Sequence, residues 1–147
     1  MGLHFEGVVI IKAPRERVWS FLVDPHAISR CLPDVQSLAV GGDGKFRATV
    51  RVGVSFIRGN FAFDVTMADL DAPQHARITG RGGGLGSAVD VDSTIDLVDG
   101  QDSTTLNWKA DVIVSGTIAS VGGRLLNSTV EKKTGELFEC LKAQLES

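Results

Sequence analysis

The sequence predicts a single α+β domain over residues 1–147: a meander of antiparallel strands, two short helices near its start and a long helix at its end. Three observations lead there. Apolar residues alternate with polar ones from Val35 to Gly116, the strand period. They recur at threes and fours from Ile118 to Leu145, the helix period. Turn residues cut the first region into hairpin-length pieces.

The elements follow in order. Residues 4–12 form a β-rich run centred on Val8, Val9, Ile10 and Ile11. Pro14 then suits the first turn of a helix in which Val18, Trp19, Phe21 and Leu22 share a side. Asp24-Pro25 reads as N-cap and first position of a second helix, with Ala27, Ile28, Cys31 and Leu32 at helical spacing until Pro33 ends it. In the meander, Phe46, Ala48, Val50, Val52 and Val54 share one face. Ile57, Phe61, Phe63, Val65 and Met67 repeat the pattern, as do Val89, Val91, Ile95 and Leu97, and then Leu106, Trp108, Ala110, Val112 and Val114. Gly41-Gly42-Asp43-Gly44, Asp71-Ala72-Pro73 and Asp99-Gly100 supply turns. Such a meander has one wet face and one buried face. Basic residues on one strand and acidic ones on another suit ion pairing across the wet face. A break near Gly122-Gly123 is expected, since an unbroken final helix of about 30 residues would be about 45 Å long.

Composition narrows the function classes. Net charge is −3, and Lys132-Lys133 is an isolated basic pair, so the dense basic face that nucleic-acid binding needs is missing. The N-terminal apolar stretch is too short for a signal peptide, Glu6 stands where a myristoylation motif wants Ser or Thr, and no run reaches the roughly 20 apolar residues of a membrane span. Cys31 and Cys140 are too few for a disulfide framework and read as packed, reduced thiols. The expected location is the cytoplasm.

The stretch 78–97, ITGRGGGLGSAVDVDSTIDL, holds five glycines within seven positions. It does not spell a phosphate site. No lysine occurs between residues 46 and 108, and Leu85 stands where the third glycine of a dinucleotide fingerprint belongs. Both motifs also need a helix next, and residues 88–98 alternate as a strand. Glycines in a sheet mark a bend, a bulge or the close approach of another group. Gly80, Gly82, Gly84 and Gly86 share the inward phase of Ala76 and Ile78, so they either bend a strand pair or leave room for a ligand or the long helix.

Candidate chemistry is sparse. His4, His26 and His75 lie far apart with no metal-ligand spacing, and no nucleophile elbow occurs, so no metal and no cofactor are expected. Asp64, Asp90, Asp92, Asp96 and Asp111 share the outward phase, whereas acid–base work needs a carboxyl held in a partly dry cleft. The inward phase is almost wholly apolar, which suits an apolar ligand.

The order of elements resembles the START-like (SRPBCC) helix-grip fold: a curved sheet of about seven strands wrapped on the C-terminal helix, with two short helices after the first strand. More narrowly, APRERVWSFLVDPHAISRCLPDVQSL, FRATVRVGVSFIRGNFAFDV, the Gly-rich turn and GGRLLNSTVEKKTGELF resemble the CoxG family of carbon monoxide dehydrogenase accessory proteins. Asp24-Pro25 followed by Arg30-Cys31-Leu32-Pro33 is the most specific part. Asp34 departs from it, since a glycine commonly follows that proline.

The resemblance implies a non-enzymatic accessory to a molybdenum hydroxylase of the carbon monoxide dehydrogenase type. That role is to help recruit the enzyme to the inner membrane face, or to carry a quinone- or lipid-like molecule toward the respiratory chain. Some members are anchored by a C-terminal extension; this sequence stops after the helix, so membrane contact is expected to be peripheral at most. The alternative is a small START-like cyclase, dehydratase or hydrolase, which would place a His, Asp, Glu or Tyr on the cavity wall. Cavity-lining residues are expected at Trp19, Phe61, Phe63, Val65, Met67, Trp108, Val112, Leu125 and Leu126. The entrance is expected at Leu32, Pro33, Gly83, Leu85, Gly122 and Gly123, where glycines and proline let a wall move.

Overall fold

A computed structural model describes residues 1–32 and 34–146. Strand β1 (Gly2–Ile11) is followed by α1 (Arg15–Leu22) and α2 (Pro25–Ser29). The meander comprises β2 (Val35–Val40), β3 (Lys45–Val54), β4 (Ile57–Asp71), β5 (His75–Gly84), β6 (Ser87–Asp99) and β7 (Thr104–Gly116). A 3-10 turn (Thr117–Val121) leads into α3 (Gly123–Leu145). The predicted α+β order is the observed one.

All pairings are antiparallel and the sheet order is β1-β7-β6-β5-β4-β3-β2. The first strand thus returns to pair with the last, Phe5 opposite Ala110 and Gly7 opposite Trp108. This long-range closure leaves β1 and β2 as the two sheet edges. The alternation holds except at two bulges, between Val35 and Ser37 of β2 and between Ala68 and Asp71 of β4. Arg77 donates two hydrogen bonds to Asp92, at 2.9 and 2.6 Å, and Arg81 reaches Asp90 at 3.1 Å, so the wet face carries the expected ladder of opposite charges. The Arg77 guanidinium holds the Asp92 carboxyl below its ordinary value.

Local signals explain the helix boundaries. The Asp24 carboxylate accepts from the backbone N–H groups of His26 and Ala27, capping α2. Gly122, at φ +99°, breaks the chain between the 3-10 turn and α3, where the break is expected. Leu85 and Gly86 (φ 56° and 73°) form the tight turn between β5 and β6. Gly86 therefore lies in the turn and outside the inward row of the strand.

The glycines of β5 let its neighbouring strands come close. A Cβ on Gly82 would run into the Ala62 backbone of β4, and one on Gly83 into the Ser87 backbone of β6. Only Gly80 has room, with Val65 Cγ2 at 3.9 Å. Close approach of backbones accounts for the cluster better than an emptied cavity wall.

The concave face is covered in three parts. Phe5, Phe61, Val112, Val114 and Leu126 pack at the end of the sheet where α3 begins. Ile11, Val18, Leu22, Leu106, Leu141 and Leu145 pack at the other end, under α1 and α2. Phe46, Ala48 and Met67 form a smaller group with Val23 and Val65 against them. Leu106 is 1 % exposed, whereas Ile113 on the same strand points outward and is 58 % exposed. Leu106→Ala is expected to cost about 2–5 kcal/mol in urea unfolding, and Ile113→Ala less than about 0.5 kcal/mol. Equal costs would place the β7 register one residue out.

Candidate functional site

α3 is 23 residues long, and a single helix about 10 Å across cannot cover the whole apolar face of seven strands, so part of that face is left half-covered. The gap falls beside edge strand β1. An open groove of about 460 Å³ lies there between β1 and α3, lined by His4, Phe5, Glu6, Trp108, Glu131 and Thr134. A shallower hollow of about 260 Å³ includes Glu6, Gly7, Asn107, Lys109 and again Trp108.

Trp108 organises the groove. Its partner across the β1–β7 ladder is Gly7, and a Cβ there would lie 2.8 Å from the indole Nε1. Glycine at position 7 is thus what lets the ring lie against β1. The other side of the ring meets Phe138 of α3, centroids 5.7 Å apart. The indole N–H has no hydrogen-bond partner among the described residues. Buried or half-buried indoles usually find one, so this donor is available to an acceptor in the groove.

The rim is polar. His4 Nδ1 lies 2.6 Å from Asp111 Oδ1 and its Nε2 lies 2.9 Å from Glu6 Oε2. The two carboxylates raise the imidazole above its ordinary value of 6.5, and His4 in turn lowers the Glu6 carboxyl. All three are largely exposed, so this is a solvated charge cluster at the lip of the groove.

The remaining sequence-predicted residues fall in several places. Phe61, Met67, Val112 and Leu126 are buried and Trp19, Phe63 and Val65 half-buried; Met67 and Val65 belong to the small cluster on β3 and β4, away from the groove at β1. Trp108 is the one among them that lines it. Leu125 is a correction: it is 42 % exposed, because the first turn of α3 presents Leu126, one position on, to the sheet. Gly83 faces outward on β5, while Leu85, Gly122 and Gly123 gather at the end where α3 begins. Leu32 is half-buried against the α1–α2 cluster, and Pro33 lies outside the described residues.

The thiols are the second correction. Cys31 and Cys140 form a disulfide, with Cα atoms 5.4 Å apart, and no free cysteine remains among the described residues. They are 109 positions apart in sequence and become neighbours only when α3 crosses the sheet and meets the end of α2. The bridge also removes the cysteine-based ground for expecting a reducing compartment. Beside it, Lys133 Nζ lies 2.7 Å from Asp34 Oδ2, and this pairing raises the lysine above its ordinary value. The corner after α2 is therefore pinned to α3 rather than free to open.

The residues that sequence reasoning missed are Phe5, Glu131 and Thr134, with His4 and Glu6 at the lip. Phe5 opposite the helix and Gly7 opposite Trp108 become readable only once β1 is known to pair with β7.

A family model for CoxG, described as a subunit of carbon monoxide dehydrogenase, matches residues 7–146. The chain belongs to the CoxG family. No curated protein shows significant sequence similarity to it. Among solved structures, a conserved protein from Geobacillus kaustophilus is 26 % identical with a TM-score of 0.91, covering 98 % of this chain and 95 % of that one. A START superfamily protein from Mycobacterium smegmatis is 18 % identical with a TM-score of 0.74, covering 97 % of each chain. A protein from Chromobacterium violaceum is 19 % identical, also at 0.74, covering 98 % of each. The fold is START-like. Asp34, the departure from the CoxG pattern, has φ 63°, a left-handed conformation that glycine adopts freely and that aspartate tolerates better than most residues.

Reducing the disulfide frees the unfolded chain from a long closed loop. Its removal is therefore expected to cost about 4–5 kcal/mol on chain-entropy grounds and to lower the melting temperature clearly in a reductant-dependent scan. An unchanged melting point would show that the bridge is not formed. His4 is expected to titrate by NMR above 6.5, with Asp111→Asn bringing it down. Its protonated form is the one held, so that stabilisation is present below about 6.5 and fades as pH rises through the raised midpoint. A midpoint unmoved by both Glu6→Gln and Asp111→Asn would rule the cluster out.

Proposed function

We propose that this CoxG-family chain is a non-enzymatic carrier. It holds an apolar, quinone- or lipid-like molecule in the groove between β1 and α3. It serves a molybdenum hydroxylase of the carbon monoxide dehydrogenase type, helping to bring the enzyme or its electrons to the quinone pool at a membrane. The observation that carries this reading is the groove over Trp108, where the rings of Phe5 and Trp108 and an unpartnered indole N–H lie within a rim of His4, Glu6, Glu131 and Thr134. A volume of about 460 Å³ falls in the range of small-molecule sites, roughly 300–1,000 Å³. A carbonyl on the ligand would accept from the indole, and its apolar body would lie against Phe5 and toward Phe63 and Val112 of the same cluster. No helix among the described residues is long and apolar enough to cross a membrane.

The enzyme alternative draws on one observation: His4, Glu6 and Glu131 do stand on the groove's wall. Two features count against acid–base chemistry there. Both ring nitrogens of His4 are engaged by carboxylates, and the Glu6 carboxyl is lowered where a general acid needs to be raised.

A short-chain quinone should bind saturably in the micromolar range, read by isothermal titration calorimetry. Trp108→Phe keeps an aromatic ring and deletes the donor, and should weaken binding about fivefold, the worth of one hydrogen bond. Asp92→Asn on the outer face should leave it unchanged. Absence of saturable binding by both a quinone and a fatty-acyl probe at tens of micromolar would overturn the carrier reading. Turnover of an apolar substrate that Glu6→Gln abolishes would favour the enzyme.

A further inference from the structure

The end of the sheet where α3 begins gathers the β3–β4 turn, the β5–β6 turn, the 3-10 turn and the first turn of α3. Contacts join them. Leu85 leans on Gly59, where a Cβ would lie 2.8 Å from its Cδ1, and Thr117 N donates to Gly86 O at 3.0 Å. Three large apolar side chains project there into water: Phe56 at 63 %, Leu85 at 51 % and Leu125 at 42 % exposure. Leu85 holds a left-handed backbone (φ 56°) that costs a branched side chain strain, and yet it buries only part of that side chain.

The charges at this end are one-sided. The turns that build it, residues 53–59, 82–88 and 114–126, carry Arg58 and Arg124 and no aspartate or glutamate, in a chain with 18 acidic residues and a net charge of −3. Arg81 is paired with Asp90, while Arg58 and Arg124 have no ion-pair partner among the described residues. The opposite end also exposes Leu70 and Val98, but among Asp69, Asp71, Asp99 and Asp102.

We infer that this end docks on an anionic lipid bilayer, with Phe56, Leu85 and Leu125 entering the interface and Arg58 and Arg124 meeting the lipid phosphates. Apolar tips on separate turns, ringed by unpaired guanidinium groups, match an interfacial anchor. A stable protein interface instead wants a contiguous patch of about 800 Å². The inference rests on the membrane step of the carrier reading and names the face that makes it.

The test is co-sedimentation of the full chain with vesicles of phosphatidylcholine alone or containing about a third phosphatidylglycerol. The chain should partition onto the anionic vesicles only, and added salt should weaken that binding. An Arg58→Gln, Arg124→Gln double variant should bind about 25-fold more weakly, about fivefold for each guanidinium. Phe56→Ser should also lose binding, and Val98→Ser at the far end should not. All variants should keep their melting temperature and their uptake of a short-chain quinone from solution. No binding to anionic vesicles, or equal binding by the double variant, overturns the docking face even if quinone still binds. Intact vesicle binding without quinone uptake would leave the docking face and remove the carrier reading.

Discussion

A seven-stranded sheet with an apolar inner face has more surface to bury than one helix can cover. That mismatch organises this molecule. α3 covers the two ends of the face, where Leu126 and Leu141 are almost wholly buried, and α1 with α2 seals one of them. Between these contacts, beside edge strand β1, the cover runs out, and Trp108 is left half-exposed over a groove. Burial drives the helix onto the sheet, and incomplete burial leaves the space.

Keeping the helix seated therefore matters more than any single side chain in the groove. Polar and covalent ties hold α3 apart from its apolar stripe: the Cys31–Cys140 bridge, the Lys133–Asp34 pair, Arg17 Nη2 donating to Gln144 O at 3.4 Å, and the Glu146 carboxylate accepting from Lys12 N at 2.9 Å. All of them lie from the middle of the helix onward. Its first turns begin at a glycine with positive φ and are held by packing near Met1 and the 3-10 turn. With one end pinned and the other only packed, the first turns of α3 are the part that the proposed carrier would move to admit a ligand without loss of the fold. The less tied end is also the end that carries the arginines and exposed apolar tips, so loading and membrane contact would share one side of the molecule.

Much of this was legible in the sequence because its signals are local. Period-two alternation in 46–54 and 57–67, the Asp24-Pro25 cap and the Gly122 break depend on neighbours a few residues away, and each stands where the pattern puts it. What was not legible depends on closure. That β1 is an edge strand beside β7 follows from the last strand returning to the first. Only then do Gly7 and Trp108 meet, Phe5 face the helix and the groove have a wall. The disulfide is the same kind of fact, since spacing alone cannot place α2 against α3. Leu125 shows a different limit: at the start of a helix, one step of about 100° separates the buried stripe from water, and adjacent leucines look alike in sequence.

The central claim is that an apolar ligand sits against Trp108 in the groove between β1 and α3. The chain has two tryptophans, Trp19 and Trp108, so two indole N–H signals report on it directly in a ¹⁵N–¹H NMR titration with a short-chain quinone. The account requires the Trp108 signal to move saturably downfield as it gains an acceptor. The amides of Phe5 and Thr134 should move with it, and the Trp19 signal should stay nearly still. A titration that leaves Trp108 unmoved, or that shifts signals only outside the groove, would contradict it.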